Sequence, residues 1–120
     1  HERGERCALI SGGELTVTVR GAGCGGPNQE YALALADTVK RISGIAALAA
    51  DTDGVDGNRD VAGAYIDGDT AFELEENDID VEAALAENDA GGALGEIGAL
   101  FVPGPTQTNV NDLRIILVDP

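Results

Sequence analysis

Along this chain the apolar positions switch repeatedly between the two-residue period of a strand and the denser apolar pattern of a buried helix. From Cys7 to Ile10 the residues are short and apolar, Ser11-Gly12-Gly13-Glu14 has the composition of a turn, and Leu15 to Arg20 alternates as Leu-Thr-Val-Thr-Val-Arg. Strand-like segments on either side of a turn predict a β-hairpin. Asn28 to Asp37 is rich in strong helix formers and apolar almost all round from Tyr31 to Ala36, which predicts a buried helix entered through the glycine-rich loop Gly21 to Pro27. Ile45 to Ala50 is an unbroken apolar run bounded by Gly44 and Asp51, with the length of a strand covered on both faces.

Farther along, Val61 to Ile66 predicts a short strand. Asp69-Thr70, Asp80 and Asp89 stand where helix N-caps belong, ahead of helices running to about Asn77, across Val81 to Glu87, and across Ala90 to about Ile97. Gly91, Gly92 and Gly95 weaken the last of these, each by up to about 1 kcal/mol against alanine. Leu100 to Pro103 and Leu113 to Val118 read as strands flanking a polar loop. This alternation predicts an α/β layered domain whose mixed β-sheet, an N-terminal hairpin plus buried strands, is packed by helices. With no repeat, linker or internal boundary, residues 1–120 form one domain.

Composition narrows the picture. Apolar residues make up 43% but aromatics only 3%, so the core is expected to consist of Ala, Val, Leu and Ile. Acidic residues number 22 against 7 basic ones, a formal net charge of -15. Such a surface repels phosphate backbones and anionic lipid headgroups, which argues against nucleic-acid and membrane partners. Lys40 is the only lysine, and this bias with the acidic excess is expected of a halophilic protein, in which concentrated salt screens self-repulsion.

Cys7 and Cys24 lack C-x-x-C spacing and the only histidine is His1, which excludes a thiolate metal site. There is no signal peptide and no apolar run long enough to cross a bilayer, so free thiols and a cytoplasmic location are expected. A start without methionine, and no Met anywhere, reads as a piece of something longer.

Three loops carry candidate chemistry. Gly25-Gly26-Pro27-Asn28-Gln29-Glu30 sets glycine backbone at the start of a helix, where free N–H groups attract phosphate or carboxylate; its alternative is a turn whose glycines serve only their backbone angles. It is neither a P-loop nor a dinucleotide fingerprint. Asp51, Asp53 and Asp56 follow a buried strand and would hold Mg²⁺ through water or bind substrate hydroxyls, unless they form an Asx-rich turn that caps its own backbone. An EF-hand is excluded by Val55 and Ala62 at its fifth and twelfth positions. The stretch 104–112 offers hydroxyls and amides suited to a hydroxylated ligand, or simply forms a long surface turn. Ser11 has no internal histidine to act as its base, which rules out a serine hydrolase.

Taken in order, Leu9-Ile10-Ser11-Gly12-Gly13-Glu14 with Thr16 to Val19, Gly25-Gly26 with Asn28-Gln29-Glu30, Asp51-Thr52-Asp53-Gly54 with Asp56-Gly57, Asn88-Asp89-Ala90, and Gly104-Pro105-Thr106 with Thr108 to Leu113 resemble the MOFRL domain. That domain is the C-terminal part of glycerate 2-kinases, in older usage hydroxypyruvate reductases. The resemblance implies a larger upstream Rossmann-like domain and an interdomain cleft in which ATP, Mg²⁺ and D-glycerate meet to give 2-phosphoglycerate. It assigns catalytic roles to Glu14, Asn28, Glu30 and Asp53. Substrate or phosphate contacts fall to Ser11, Gly12, Gly13, Gly25, Gly26, Gln29, Thr106, Thr108, Asn109 and Asn111, and Mg²⁺ contacts to Asp51, Asp53 and Asp56.

The isolated domain is then expected to turn over nothing, and homo-oligomer formation is left open. Many relatives have an arginine before Asn-Gln-Glu where this chain has Pro27, so Arg20 takes that role, or the substrate or activity has shifted. Gly91 likewise replaces a bulkier residue, a packing difference. Two other readings remain: NAD(P)H-dependent reduction of hydroxypyruvate, for which no dinucleotide site is found, and a non-catalytic small-ligand-binding or assembly module.

Overall fold

The computed structural model describes residues 4–14, 16–57 and 60–119. His1, Leu15 at the start of the expected second hairpin strand, and Asn58 and Arg59 of the acidic loop lie outside the described residues. The elements run β1 (Cys7–Gly13), α1 (Pro27–Thr38), β2 (Ile45–Asp51), β3 (Gly63–Asp67), α2 (Thr70–Glu76), α3 (Val81–Ala86), α4 (Ala90–Glu96), β4 (Leu100–Phe101) and β5 (Asp112–Val118). The strands form one five-stranded sheet in the order β1-β5-β2-β3-β4.

The layered α/β class is as expected, with a correction to the pairing. Every pairing between the described strands is antiparallel, and β1 pairs not with a hairpin neighbour but with β5, at the other end of the chain. Ser11, Gly12 and Gly13, expected in a turn, continue β1 opposite Arg114, Leu113 and Asp112. Residues 16–20 are exposed and outside any strand despite their alternation. Their polar backbone is used elsewhere: Asn88 Oδ1 accepts the N–H groups of Arg20 and Gly21, and Asn88 Nδ2 donates to the Thr18 carbonyl. β5 is a stronger partner because five of its seven residues are apolar and it can serve β1 on one side and β2 on the other.

Helices cover one face of the sheet. Ala47 and Ala49 of β2, Ala64 and Ile66 of β3, and Ile116 of β5 pack with Ala32, Leu33 and Ala36 of α1, Leu74 of α2, and Ala93 and Leu94 of α4. Leu33, Leu74 and Leu94 are fully enclosed, and truncating any of them to alanine costs about 2–5 kcal/mol. The abundance of alanine lets α1 lie close against β2 and β3. Of the expected caps, Asp80 accepts the Ala83 N–H, while Asp69 and Asp89 make no side-chain cap bond. The Asp89 carboxylate instead accepts the Cys24 N–H and ties the glycine-rich loop to α4.

Candidate active site

Antiparallel register brings the candidate segments to one end of the sheet. Gly13, Asp112 and Asp51 form its last cross-strand row, so Glu14, the 51–57 loop and the 104–111 loop all leave from the same edge. α1 begins beside them, because Asn28 Nδ2 donates to Asp112 Oδ1 at 2.7 Å and to Asp56 Oδ1 at 3.1 Å.

Asp56 organises this corner. Its Oδ1 accepts the Asn28 N–H at 3.0 Å, its Oδ2 accepts the Gln29 N–H and Nε2 at 2.9 Å each, and its carbonyl accepts Gln29 Nε2 again. The carboxylate therefore sits where an incoming anion was expected, against the positive end of α1. Gly26 and Gly57 permit the approach: a Cβ on Gly26 would strike the Asp56 carboxyl and carbonyl, and Gly57, at φ +84°, lies against Gly25. The glycines thus serve close packing, and the helix start is closed to phosphate unless Asp56 is displaced. Asn28 and Gln29 are at most 2% exposed, so they lie beneath the surface of this sheet end rather than on it.

The carboxylates separate accordingly. Asp56 is buried and fully engaged with α1, and among the described residues no three His, Cys, Asp or Glu side chains converge on a metal position. The expected three-carboxylate set is thus reduced to Asp51 and Asp53, both partly exposed. Asp51 Oδ1 accepts the Asp53 N–H and Asp53 Oδ1 accepts the Val55 N–H, turns that fix both side chains at the sheet end. Burial raises the Asp51 carboxyl above its ordinary value; the nearby Asp53 and Asp112 carboxylates push it the same way, against the Asp53 N–H. Such a pair suits Mg²⁺, which is commonly held by one or two carboxylates, water and substrate phosphates.

The two polar loops are stitched together. Thr52 Oγ1 accepts the Val110 N–H and donates to the Asn111 carbonyl, and Thr106 Oγ1 donates to the Thr52 carbonyl. Thr108, Asn109 and Asn111 are exposed beside them, with the Asn111 N–H held by Asn109 Oδ1. Ser11 to Glu14 are exposed along the β1 edge.

Glu30 points another way. Its Oε1 accepts Asn88 Nδ2 at 2.7 Å, on a groove of about 300 Å³ lined by Val17, Val19, Gly25, Gly26 and Pro27. Asn88 thus holds Glu30 through its side chain and Arg20 through its backbone.

Arg114, which the sequence pattern did not single out, braces the β1 strand from β5. Its Nε donates to Ser11 Oγ at 3.1 Å, its Nη2 to the Gly12 carbonyl at 2.8 Å, and its guanidinium stacks 5.6 Å from the centre of the Tyr31 ring. Its Nη1 and Asn28 Oδ1 are buried atoms without a hydrogen-bond partner among the described residues. The available signal was a lone charge inside the apolar strand Leu113 to Val118.

Known proteins match the chain in sequence and in fold. A model of the MOFRL family matches residues 7–112. A D-glycerate 2-kinase from Thermotoga maritima is 49% identical over 92% of the chain and 27% of its own length. A protein from Agrobacterium vitis with a provisional hydroxypyruvate reductase name is 46% identical over 92% of the chain and 26% of its own length. The crystal structure of a glycerate kinase from Thermotoga maritima superposes with a TM-score of 0.90, covering 92% of this chain and 27% of that one. The chain thus spans about a quarter of the length of the relatives it matches.

Proposed function

The chain belongs to the MOFRL family, and from that membership we propose that it is the C-terminal domain of an ATP-dependent glycerate 2-kinase. It would form one wall of an interdomain site where D-glycerate becomes 2-phosphoglycerate, facing an upstream Rossmann-like domain of the same cytoplasmic protein. The observation that carries this reading is the gathering, at one sheet end, of the exposed β1 edge, the Asp51 and Asp53 turn and the polar 104–111 loop. The 49% identity to a D-glycerate 2-kinase supports the same reaction.

The residues divide by exposure. Asp51 and Asp53 are the carboxylates that would hold Mg²⁺, which supplies charge neutralisation on the phosphoryl oxygens when bound. Asp53 stands to accept the proton of the substrate C2 hydroxyl, while Glu14 and the Thr106, Thr108, Asn109 and Asn111 groups orient the hydroxy acid. Asn28, Gln29 and Asp56 position the wall from behind. Because catalysis of phosphoryl transfer is mostly positioning and charge neutralisation, and this end carries more acid than base, the remaining cations belong to the other domain. The domain alone is therefore inactive.

The reductase name of the Agrobacterium vitis relative supports a second reading, hydroxypyruvate reduction with NAD(P)H. One pair of assays on the intact protein in concentrated KCl separates the two. ATP-dependent phosphorylation of D-glycerate without hydroxypyruvate-dependent oxidation of NADH or NADPH is expected; oxidation alone would replace the kinase with a reductase.

A further inference from the structure

The sheet has a second face that no helix among the described residues covers. Register places Ile10, Ile115, Leu48 and Tyr65 in one cross-strand row spanning four strands, with Leu117 in the next row. The opposite row, Leu9, Ile116, Ala47 and Ile66, faces the helices over β2 and β3. On the uncovered face Ile10 is 68% exposed, Leu117 51% and Tyr65 50%. Between the strands runs a shallow groove of about 360 Å³ lined by Leu48, Tyr65, Ile115 and Leu117.

An antiparallel sheet that meets water on one face alternates apolar with polar residues. Here the open face is apolar too, and Asp67, at the end of β3, is the single charge among its described strand positions. Contiguous apolar surface of this kind is a contact surface.

We infer that this face is the docking surface for the remainder of the longer polypeptide, which lays an apolar layer across the Ile10, Ile115, Leu48 and Tyr65 row. The inference rests on the reading that the chain is one domain of a longer enzyme. Two observations select this occupant over a second copy. The chain accounts for about a quarter of the length of its relatives, so most of such a protein lies elsewhere. A covalently joined partner also acts at an effective concentration in roughly the millimolar range, an advantage that a second copy lacks. The surface is distinct from the candidate active site, which lies at the sheet end. The domain would thus be held by its open face while its loops meet the substrate.

The test is thiol labelling of the intact protein in a Cys7→Ser/Cys24→Ser background, with Leu117→Cys and, separately, Ile10→Cys as probes and a water-soluble maleimide as reagent. Glu73→Cys, on the exposed side of α2, is the reference. Both probes are expected to react at least tenfold more slowly than in the urea-unfolded protein, at every protein concentration. Ile10→Cys, on the edge strand, carries the test if Leu117→Cys fails to fold. Reaction at the rate of the unfolded protein would overturn the inference, as would protection that disappears on dilution together with a dimer mass, since a second copy would then be the cover. The same samples are assayed for D-glycerate phosphorylation: protection without phosphorylation retains the docking surface and removes the kinase reading, and phosphorylation with free labelling does the reverse.

Discussion

Arg114 reaches across the β5 and β1 pair to Ser11, Nε to Oγ at 3.1 Å, and so joins a residue near the end of the chain to the edge strand of the candidate site. Its second arm holds the Gly12 carbonyl, and its face lies on Tyr31 of α1. Arg114→Lys cannot reproduce this two-armed, stacked contact. It is expected to lower stability by about 1–3 kcal/mol in urea titration, and Arg114→Leu by at least as much. An unchanged midpoint in both variants would show that the contact holds nothing.

Asp56 should be the most sensitive acidic position of the chain. Asp56→Ala leaves the buried Asn28 and Gln29 backbone N–H groups without their acceptor and takes one of two acceptors from each side-chain amide, Asn28 Nδ2 keeping Asp112 Oδ1 and Gln29 Nε2 keeping the backbone carbonyl of residue 56. Given about 1–3 kcal/mol for each of the two buried N–H groups left unsatisfied, a loss of at least about 2 kcal/mol is expected. Asp53→Asn, on the accessible turn, should abolish turnover of the intact protein while leaving its thermal midpoint within about 2 °C, because surface changes away from packed features are worth about 0.5 kcal/mol. Equal loss of stability in both variants would remove the division between positioning and contact residues.

Asp51 gives a pH prediction. Its carboxyl is raised above the ordinary 3.8, so protonation favours the folded state. That contribution is full below the ordinary value and is lost as pH rises through the raised one, leaving a charged, partly buried carboxylate beside Asp53 and Asp112 at neutral pH. Asp51→Asn keeps an acceptor for the Asp53 N–H and removes the charge. Its thermal midpoint should exceed that of the wild type at about pH 7, with the gap closing toward about pH 4. A gap that widens on acidification would contradict the assigned cause.

Pro27 occupies the first turn of α1, where its ring lines the groove beside Glu30. Pro27→Arg keeps a residue compatible with the helix and adds a cation next to the glycine loop. In the intact protein it is expected to raise the turnover of D-glycerate phosphorylation with little change in thermal midpoint. Unchanged turnover would mean that this position does not limit catalysis.

The charge of -15 should make stability depend on salt. At about 1 M the screening length falls to about 3 Å, which removes most repulsion between surface carboxylates. The thermal midpoint of the chain is expected to rise from low to molar KCl, and equal midpoints would remove the salt-adapted reading.

Much of the fold was legible because periodicity and helix starts are local. Ile45 to Ala50, Leu113 to Val118 and all four helices follow from apolar runs and the residues that bound them. The pairing of β1 was not legible, since Leu15 to Arg20 alternates as well as any strand and only the tertiary competition with β5 decides between them. The site was legible as a set of loops but not in its division of labour. Asp51, Asp53 and Asp56 look alike in sequence, and it is the approach of Gly26 that draws Asp56 inward to α1. Arg114 was hidden because its partners, Ser11 and Tyr31, lie far from it along the chain.

The most direct measurement is hydrogen exchange on the intact protein with and without Mg²⁺-ATP and D-glycerate together. Slower exchange is expected in segments 11–14, 51–57 and 104–111, the wall assembled at one sheet end, with residues 41–45 and 67–69, which line a cavity of about 530 Å³ at the opposite end, unchanged. Protection confined to that opposite end, or none anywhere in this chain, would contradict the claim that this domain forms a wall of a glycerate kinase active site.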